Sequence, residues 1–452
     1  MIAKKKVKKS KIEKLPVRVK KMLNIGLWSY EVQVPDDQTL ERLHLLDRDI
    51  IKRKKDIHIP ETGKKQIYRQ AEKQYDKHSS KKRSERKKLA PIRQIKKKED
   101  WEEFKKVNFV HLGTSVSNWL NLRVENTDKL NKVGLPSISD SHQLAKLLGI
   151  SIAQIKYFAY HRKSSQVNHY VDFYIPKGKR GRRLISRPKK ELENIQSIIK
   201  KEILDKISFS DAVFGFIPGK SHINNAQEHV KRDFIINIDI QDFFPSTNFY
   251  KVRSIFRNLG YSGEISSVLA LLTTKQDTRS ITIGEDQYHT FTENRYLPQG
   301  ACTSPTLSNL ALVKVDNQLI KRSIELGYKY SRYVDDLTFS INKPISKIKT
   351  LLYMVRKTLE YHGYEANPHK TKILGKNNSQ NITGLVINSG ESNVPRYWRR
   401  RLRAAVHQFQ YIKDDEIKSI ELVRLLGCIN YLKISHSRLA QNYFELVTKY
   451  YQ

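Results

Sequence analysis

The sequence contains only two cysteines, Cys302 and Cys428, in 452 residues. Two thiols cannot build a disulfide framework or a Cys-based zinc finger, and their scarcity suits a reducing compartment. The chain also lacks any apolar run of the roughly 18 residues that a membrane-spanning helix needs, and its mean hydropathy is −0.60. No membrane association is expected. Charge, not an apolar h-region, follows Met1-Ile2-Ala3-Lys4-Lys5-Lys6, so there is no secretory leader and a cytoplasmic location is expected. No internal repeat and no Gly-rich phosphate loop of the Walker or dinucleotide type is present. Acids are scarce as well: 46 Asp and Glu face 84 Lys and Arg, a net charge of +38. That excess points to a polyanionic partner, with nucleic acid the first candidate. A mass of 52.9 kDa allows two to four domains.

The charge is unevenly spread. Residues 1–100 hold 31 basic and 14 acidic residues, a balance of +17, and the other 352 carry +21. Runs such as Lys81-Lys82-Arg83 and Lys96-Lys97-Lys98 sit among good helix formers with few apolar positions, so 1–105 reads as a basic appended segment, helical or disordered, that docks on nucleic acid or only solubilises. Beyond it, Asp140-Ser141-His142-Gln143 opens a helix with Leu144, Leu147 and Leu148 at three-to-four spacing, ending at Gly149. Tyr170–Pro176 alternates as a strand, and the basic turn Lys177–Arg182 leads to a second strand, Arg183–Ser186. A long helix follows Pro188, with Leu192, Ile195, Ile198, Ile199 and Ile203 on one side.

Phe234-Ile235-Ile236-Asn237-Ile238-Asp239-Ile240 is an apolar run broken by one acid, and a buried strand should not desolvate a carboxylate without a partner. Nearly a hundred residues later, two adjacent acids, Asp335 and Asp336, lie between β-prone stretches, which reads as a hairpin with carboxylates at its tip. Adjacent like charges that stay ionised imply divalent cations, and Mg²⁺ favours one or two carboxylates plus substrate phosphate oxygens. Three acids on neighbouring strands would suit a two-metal site for in-line attack on phosphorus. An isolated Asp-Asp in a basic protein is more often an ordinary turn.

The surrounding segments, in one order, resemble the reverse transcriptases. Asp239-Ile240-Gln241-Asp242-Phe243-Phe244 is similar to their first catalytic motif, Tyr333-Val334-Asp335-Asp336 to the Tyr-x-Asp-Asp box, and Leu297-Pro298-Gln299-Gly300 with Ser304-Pro305 to the motif between them. Asn367-Pro368-His369-Lys370-Thr371 resembles the Asn-x-x-Lys-Thr motif, and Asn381-Ile382-Thr383-Gly384 the hairpin that grips the primer. Asn225-Ala226-Gln227-Glu228-His229 and Ile382-Thr383-Gly384, with Ile for Val, narrow the resemblance to the bacterial retron enzymes. The likeness runs from about His111 to the C-terminus. His111–Ser117 and Gly134-Leu135-Pro136 resemble a subgroup with extended N-termini.

The resemblance implies an α+β right-hand polymerase fold: an N-terminal extension to 105, helices and fingers over 106–230, a palm with an antiparallel sheet over 231–390, and a helical thumb over 391–452. It implies RNA-directed DNA synthesis with two Mg²⁺ ions held by Asp239, Asp335 and the carbonyl of Ile240, with Asp336 as electrostatic support. Arg183 and Lys177 or Lys179 would reach the dNTP triphosphate. Asp242, Phe243, Phe244, Gln299 and Gly300 would line the nucleotide pocket, with Phe244 as the gate against a ribose 2′-OH. Lys370, with Lys372 as its rival, would protonate pyrophosphate. Asn225 and His229 would recognise RNA, against the bland reading of a capped helix with a satisfied histidine. Arg399, Arg400 and Arg403, on helices of the thumb, would follow a duplex backbone. Only 66 residues follow Val386, so no ribonuclease H or endonuclease domain is expected in this sequence. As implied partners, a structured noncoding RNA is copied in part into multicopy single-stranded DNA from an RNA 2′-OH primer, and the RNA-DNA product works with an effector protein in phage defence. The rival readings are a defence-associated reverse transcriptase without a retron RNA, and an RNA-binding scaffold with a silent polymerase fold.

Overall fold

A computed structural model describes residues 84, 87–177, 181–342 and 347–451. Lys179 and most of the basic segment lie outside the described residues. The chain divides into two units, Met1–Lys98 and Glu99–Gln452. In the first, residues 87–98 are helical. The second opens on a helix over 99–107 that is tied to its own core: Lys156 Nζ donates to the carbonyls of Lys105 and Lys106, Ser141 Oγ donates to that of Val107, and the Arg123 guanidinium lies 5.4 Å from the Phe104 ring centre.

The strands of the second unit are β1 (Ser164–Ser165), β2 (Tyr170–Pro176), β3 (Arg182–Pro188), β4 (Phe234–Ile240), β5 (Lys275–Ile283), β6 (Asp286–Tyr296), β7 (Lys329–Tyr333), β8 (Asp336–Ile341), β9 (Ala366–Gly375), β10 (Asn381–Ile382) and β11 (Leu385–Val386). Four of them form the sheet β7-β8-β4-β9, with every pairing antiparallel. Because side chains alternate across a strand, Ile236, Ile238 and Ile240 share one face of β4. They are buried with Leu319 of the helix Val313–Glu325 and with Leu351 and Leu359 of the helix Ile348–Tyr361. Asp239 therefore faces the other way, as do Ile235 and Asn237. On that second face Ile235 meets Ala226, Ile382 and Leu385 in a smaller core.

The N-terminal helices behave as their sequence suggests. Asp140 caps Ser141–Leu148 by accepting from two backbone N–H groups, and Gly149 ends it at φ 65°. The β2–β3 hairpin packs before the helix Lys190–Glu202, and Lys275 fastens it: this lysine is 2% exposed, and its Nζ donates to both Asp172 oxygens at 2.9 Å and to Ser186 Oγ at 2.8 Å. Arg295, also buried, donates to the carbonyls of Leu271 and Thr274, so a cation closes the negative end of the helix Gly263–Thr273. The last helices, Arg396–Phe409, Asp415–Lys433 and Ser437–Tyr451, share their own core around Leu402, Leu425 and Val447. Among the described residues, no helix is long and apolar enough to cross a membrane.

Candidate active site

Asp239 and Asp336 face each other across the β4–β8 pair, and Asp335 lies in the two-residue turn that joins β7 to β8. The turn has Val334 at φ 60°, a conformation that a β-branched residue adopts only when its surroundings hold it there. The N–H of Ile240 donates to the carbonyl of Asp335 at 3.0 Å, which stitches the tip to the end of β4. Desolvation, then the charges of Asp335 and Asp239, push the Asp336 carboxyl up to about 7. Desolvation and Asp239 also raise Asp335, against the pull of Lys370 and Arg183. Three acids crowded so closely call for positive charge.

Lys370 supplies some of it. Its Nζ donates to both oxygens of Asp239, each at 2.7 Å. The reach comes from an irregularity in β9: Asn237 pairs with Lys372 but Asp239 pairs with Asn367. The residues between form a bulge in which Asn367 Oδ1 accepts from His369 N and Thr371 Oγ1 donates to the Asn367 carbonyl. Of the two rival lysines, Lys370 is therefore the one on Asp239, while Lys372 is exposed on the strand.

A cavity of about 770 Å³ opens over these groups. Arg183, Asp242, Phe243, Phe244, Gln299, Gly300 and Lys370 line it with the three acids. Phe243 is buried with its ring 5.6 Å from Tyr364, and the half-buried Phe244 lies beside it on the cavity lining. Gln299 O accepts from Ser186 N at 2.7 Å, joining this wall to β3. Gly300 has φ 123°, and a Cβ there would come within 2.9 Å of Ile185 Cγ2 and 3.1 Å of Ser186 O, so the approach requires glycine. Lys177, one of the two lysines named for the triphosphate, lines the cavity too. Phe216, exposed and at φ 58°, is a lining residue that sequence reasoning did not assign to the site. Its only sequence signal was its place after Phe214-Gly215.

Asn225 and His229 require a correction. Both are fully buried, so neither side chain reaches a nucleic acid. His229 Nε2 lies 2.6 Å from Ser331 Oγ and Nδ1 lies 2.7 Å from Ser340 Oγ, while Ser331 Oγ donates to Asn225 Oδ1 at 2.6 Å. Ser331 and Ser340 stand on the sheet face opposite the helices, the face that also carries Asp239 and Asp336, so this cluster holds the β7–β8 hairpin farther along the strands from the acids. The helix His222–Gln227, which carries Asn225, contacts the second signature: Thr383 Oγ1 donates to the carbonyl of His222. On the helix Arg396–Phe409, Arg400 and Arg403 are exposed, but Arg399 is half-buried with Nη1 3.0 Å from His436 Nε2. Ile420 and Val423 project outward from the helix Asp415–Lys433, whose Leu425 and Ile429 fill the core on the other side.

A sequence-family model for the reverse transcriptase (RNA-dependent DNA polymerase) matches residues 175–388. The retron Mx162 reverse transcriptase of Myxococcus xanthus is 32% identical over 339 residues, 70% of this chain and 70% of its own. The chain belongs to the retron-type reverse transcriptases. The retron Ec86 reverse transcriptase of Escherichia coli is 31% identical to this enzyme over 72% of this chain and 95% of its own. Among solved structures, telomerase from Candida albicans aligns over 69% of this chain and 64% of its own, at 12% identity and a TM-score of 0.37, a likeness too low to carry an inference. The reverse transcriptase is an RNA-directed DNA polymerase with a right-hand fold, and its sheet β7-β8-β4-β9 is the palm.

Its donor set suits hard divalent cations. Carboxylates converge from β4 and the β7–β8 turn, the acids repel one another in the absence of a counter-ion, and the Lys370 ammonium lies against Asp239 where positive charge is needed. Among the described residues, no group of three or more His, Cys, Asp or Glu side chains is arranged to hold a metal ion by itself.

Proposed function

We propose that this reverse transcriptase binds a structured noncoding RNA and copies part of it into multicopy single-stranded DNA, primed from a 2′-OH of that RNA, and that the RNA-DNA product acts with an effector protein in phage defence in the cytoplasm. The observation that carries the catalytic part is the meeting of Asp239, Asp335 and Asp336 with Arg183, Gln299 and Lys370 around one cavity. Identity of about 30% to enzymes named for their retrons supports the RNA part.

In this reading Asp239, Asp335 and the Ile240 carbonyl would hold two Mg²⁺ ions, and Asp336 would support the site electrostatically. When bound, the ions supply positive charge to the attacking and leaving oxygens. Arg183, with Lys177 or Lys179, grips the triphosphate, and Gln299 with the Gly300 backbone seats the base and sugar. Asp242 and Phe243 complete the floor, and Phe244 stands where a ribose 2′-OH would project. Lys370 moves from Asp239 to the leaving pyrophosphate as its proton donor. Arg400, Arg403 and, to a lesser degree, Arg399 follow the duplex backbone.

Two measurements test this. Sequencing the nucleic acid that copurifies with the protein should return one structured RNA joined to DNA complementary to part of it; RNA without attached DNA would favour the defence-associated rival. Asp335→Asn with Asp336→Asn should abolish Mg²⁺-dependent dNTP incorporation and leave RNA binding intact. Residual activity within about tenfold of wild type, one unit of pK in free-energy terms, would remove the two-metal assignment.

A further inference from the structure

Beneath the Val334–Asp335 turn lies a buried polar network that the reaction as described above does not use. Arg332 is fully buried and Asp316 is 2% exposed. Arg332 Nε donates to Asp316 Oδ1 at 2.8 Å, and Nη2 donates to Oδ2 at 2.7 Å. Tyr330 OH adds a third hydrogen bond to Asp316, at 2.8 Å. The remaining nitrogen, Nη1, divides its two hydrogens between Asn309 Oδ1 at 2.8 Å and the carbonyl of Val334 at 3.0 Å. Asn309 stands on the helix Ser304–Ala311, which follows Gln299 and Gly300, and its Nδ2 donates to the Gly215 carbonyl at 2.7 Å. Gly215 itself abuts the turn, since a Cβ there would come within 2.6 Å of Val334 Cγ2.

We propose that Arg332 is a positioning residue that couples the wall of the nucleotide cavity to the turn carrying Asp335, through the single nitrogen that holds both Asn309 and Val334. The inference rests on the two-metal reading and deepens it. A left-handed valine is strained and relaxes unless held, and the hold on its carbonyl is shared with the helix that follows Gln299. The turn and the pocket wall therefore take up their places together. Only a guanidinium makes these four hydrogen bonds at once: lysine keeps the charge that balances Asp316 but has one nitrogen and no fork.

Steady-state single-nucleotide extension on a primer-template, titrated with Mg²⁺, tests the coupling. Arg332→Lys should raise the Mg²⁺ half-saturation and lower kcat, each by about tenfold, as loss of an outer-shell partner does. Adding Val334→Gly should recover part of kcat, because glycine holds a positive φ without strain. Asn309→Ala, which leaves the Arg332–Asp316 pair intact, should produce the same Mg²⁺ shift with a smaller loss of Tm, and it carries the test if Arg332→Lys does not fold. A merely structural Arg332 would lower Tm but leave the Mg²⁺ half-saturation unchanged and give no recovery with Val334→Gly, and either result overturns the proposal. Mg²⁺-dependent extension by wild type and its loss in Asp335→Asn are read in the same assay. Failure there removes the two-metal reading, whereas an unshifted Mg²⁺ titration in an otherwise active Asn309→Ala removes the coupling alone.

Discussion

His229→Gln separates a structural histidine from an RNA-binding one by its pH dependence. Ser331 donates its hydroxyl hydrogen to Asn225, so its oxygen accepts from His229 Nε2–H, and Nδ1 in turn accepts from Ser340. Burial disfavours the charged form, so the ring is neutral and Nδ1 is the acceptor. Burial holds its pKa down at about 3, against 6.5 for a free histidine, with Lys329 and Arg232 adding to the effect. Because the folded pKa lies below the unfolded one, this group's contribution is complete above pH 6.5 and is lost as the pH falls from 6.5 towards 3, where the unfolded chain binds a proton that the folded chain refuses. At 1.36 kcal/mol per unit, the loss reaches about 2 kcal/mol at pH 5. Glutamine does not titrate, and it forfeits two buried hydrogen bonds worth about 1–3 kcal/mol in all at pH 7. Urea unfolding of both proteins at pH 7 and pH 5 should show the wild-type advantage shrinking by about 2 kcal/mol. A constant advantage across that range would refute the buried neutral ring. Reduced RNA affinity in a variant of undiminished stability would restore the direct RNA contact that the burial of His229 rules out.

Three further outcomes are expected. Phe244→Ala should raise ribonucleotide relative to deoxyribonucleotide incorporation in single-nucleotide addition; unchanged selectivity with activity retained would place the gate elsewhere. Gly300→Ala should raise the dNTP KM and cost about 1–3 kcal/mol of stability, since the added methyl meets Ile185 and Ser186; an unaltered KM would show that the Gln299–Ser186 junction does not shape the pocket. Deleting residues 1–98 should weaken RNA binding and flatten its salt dependence by about 0.7–0.9 log units per lost phosphate contact, yet leave extension of a preformed primer-template active at low salt. An unchanged slope would mark the segment as a solubilising tail.

The three acids stood out in the sequence because their signal is local. An apolar strand broken at Asp239, and paired acids between two β-prone stretches, single these residues out, but an isolated Asp-Asp is more often an ordinary turn, and it was the ordered resemblance of the surrounding motifs that gave the acids and Gln299-Gly300 a role. The Ser141–Leu148 helix was readable for the same reason, with cap, stripe and terminal glycine all within a few residues. What a side chain faces is set instead by pairing with distant strands. The choice of Lys370 over Lys372 depends on a bulge that exists only once β9 pairs with β4. The fate of His229 depends on Ser331 and Ser340, more than a hundred residues away in sequence. Arg332 reads in sequence as one more cation in a very basic protein, and only the packing of the helix Val313–Glu325 against β7 encloses it with Asp316. Residue type, spacing and resemblance thus marked the candidate groups, while burial and register, which are properties of the whole sheet and its helices, decided which groups hold them in place.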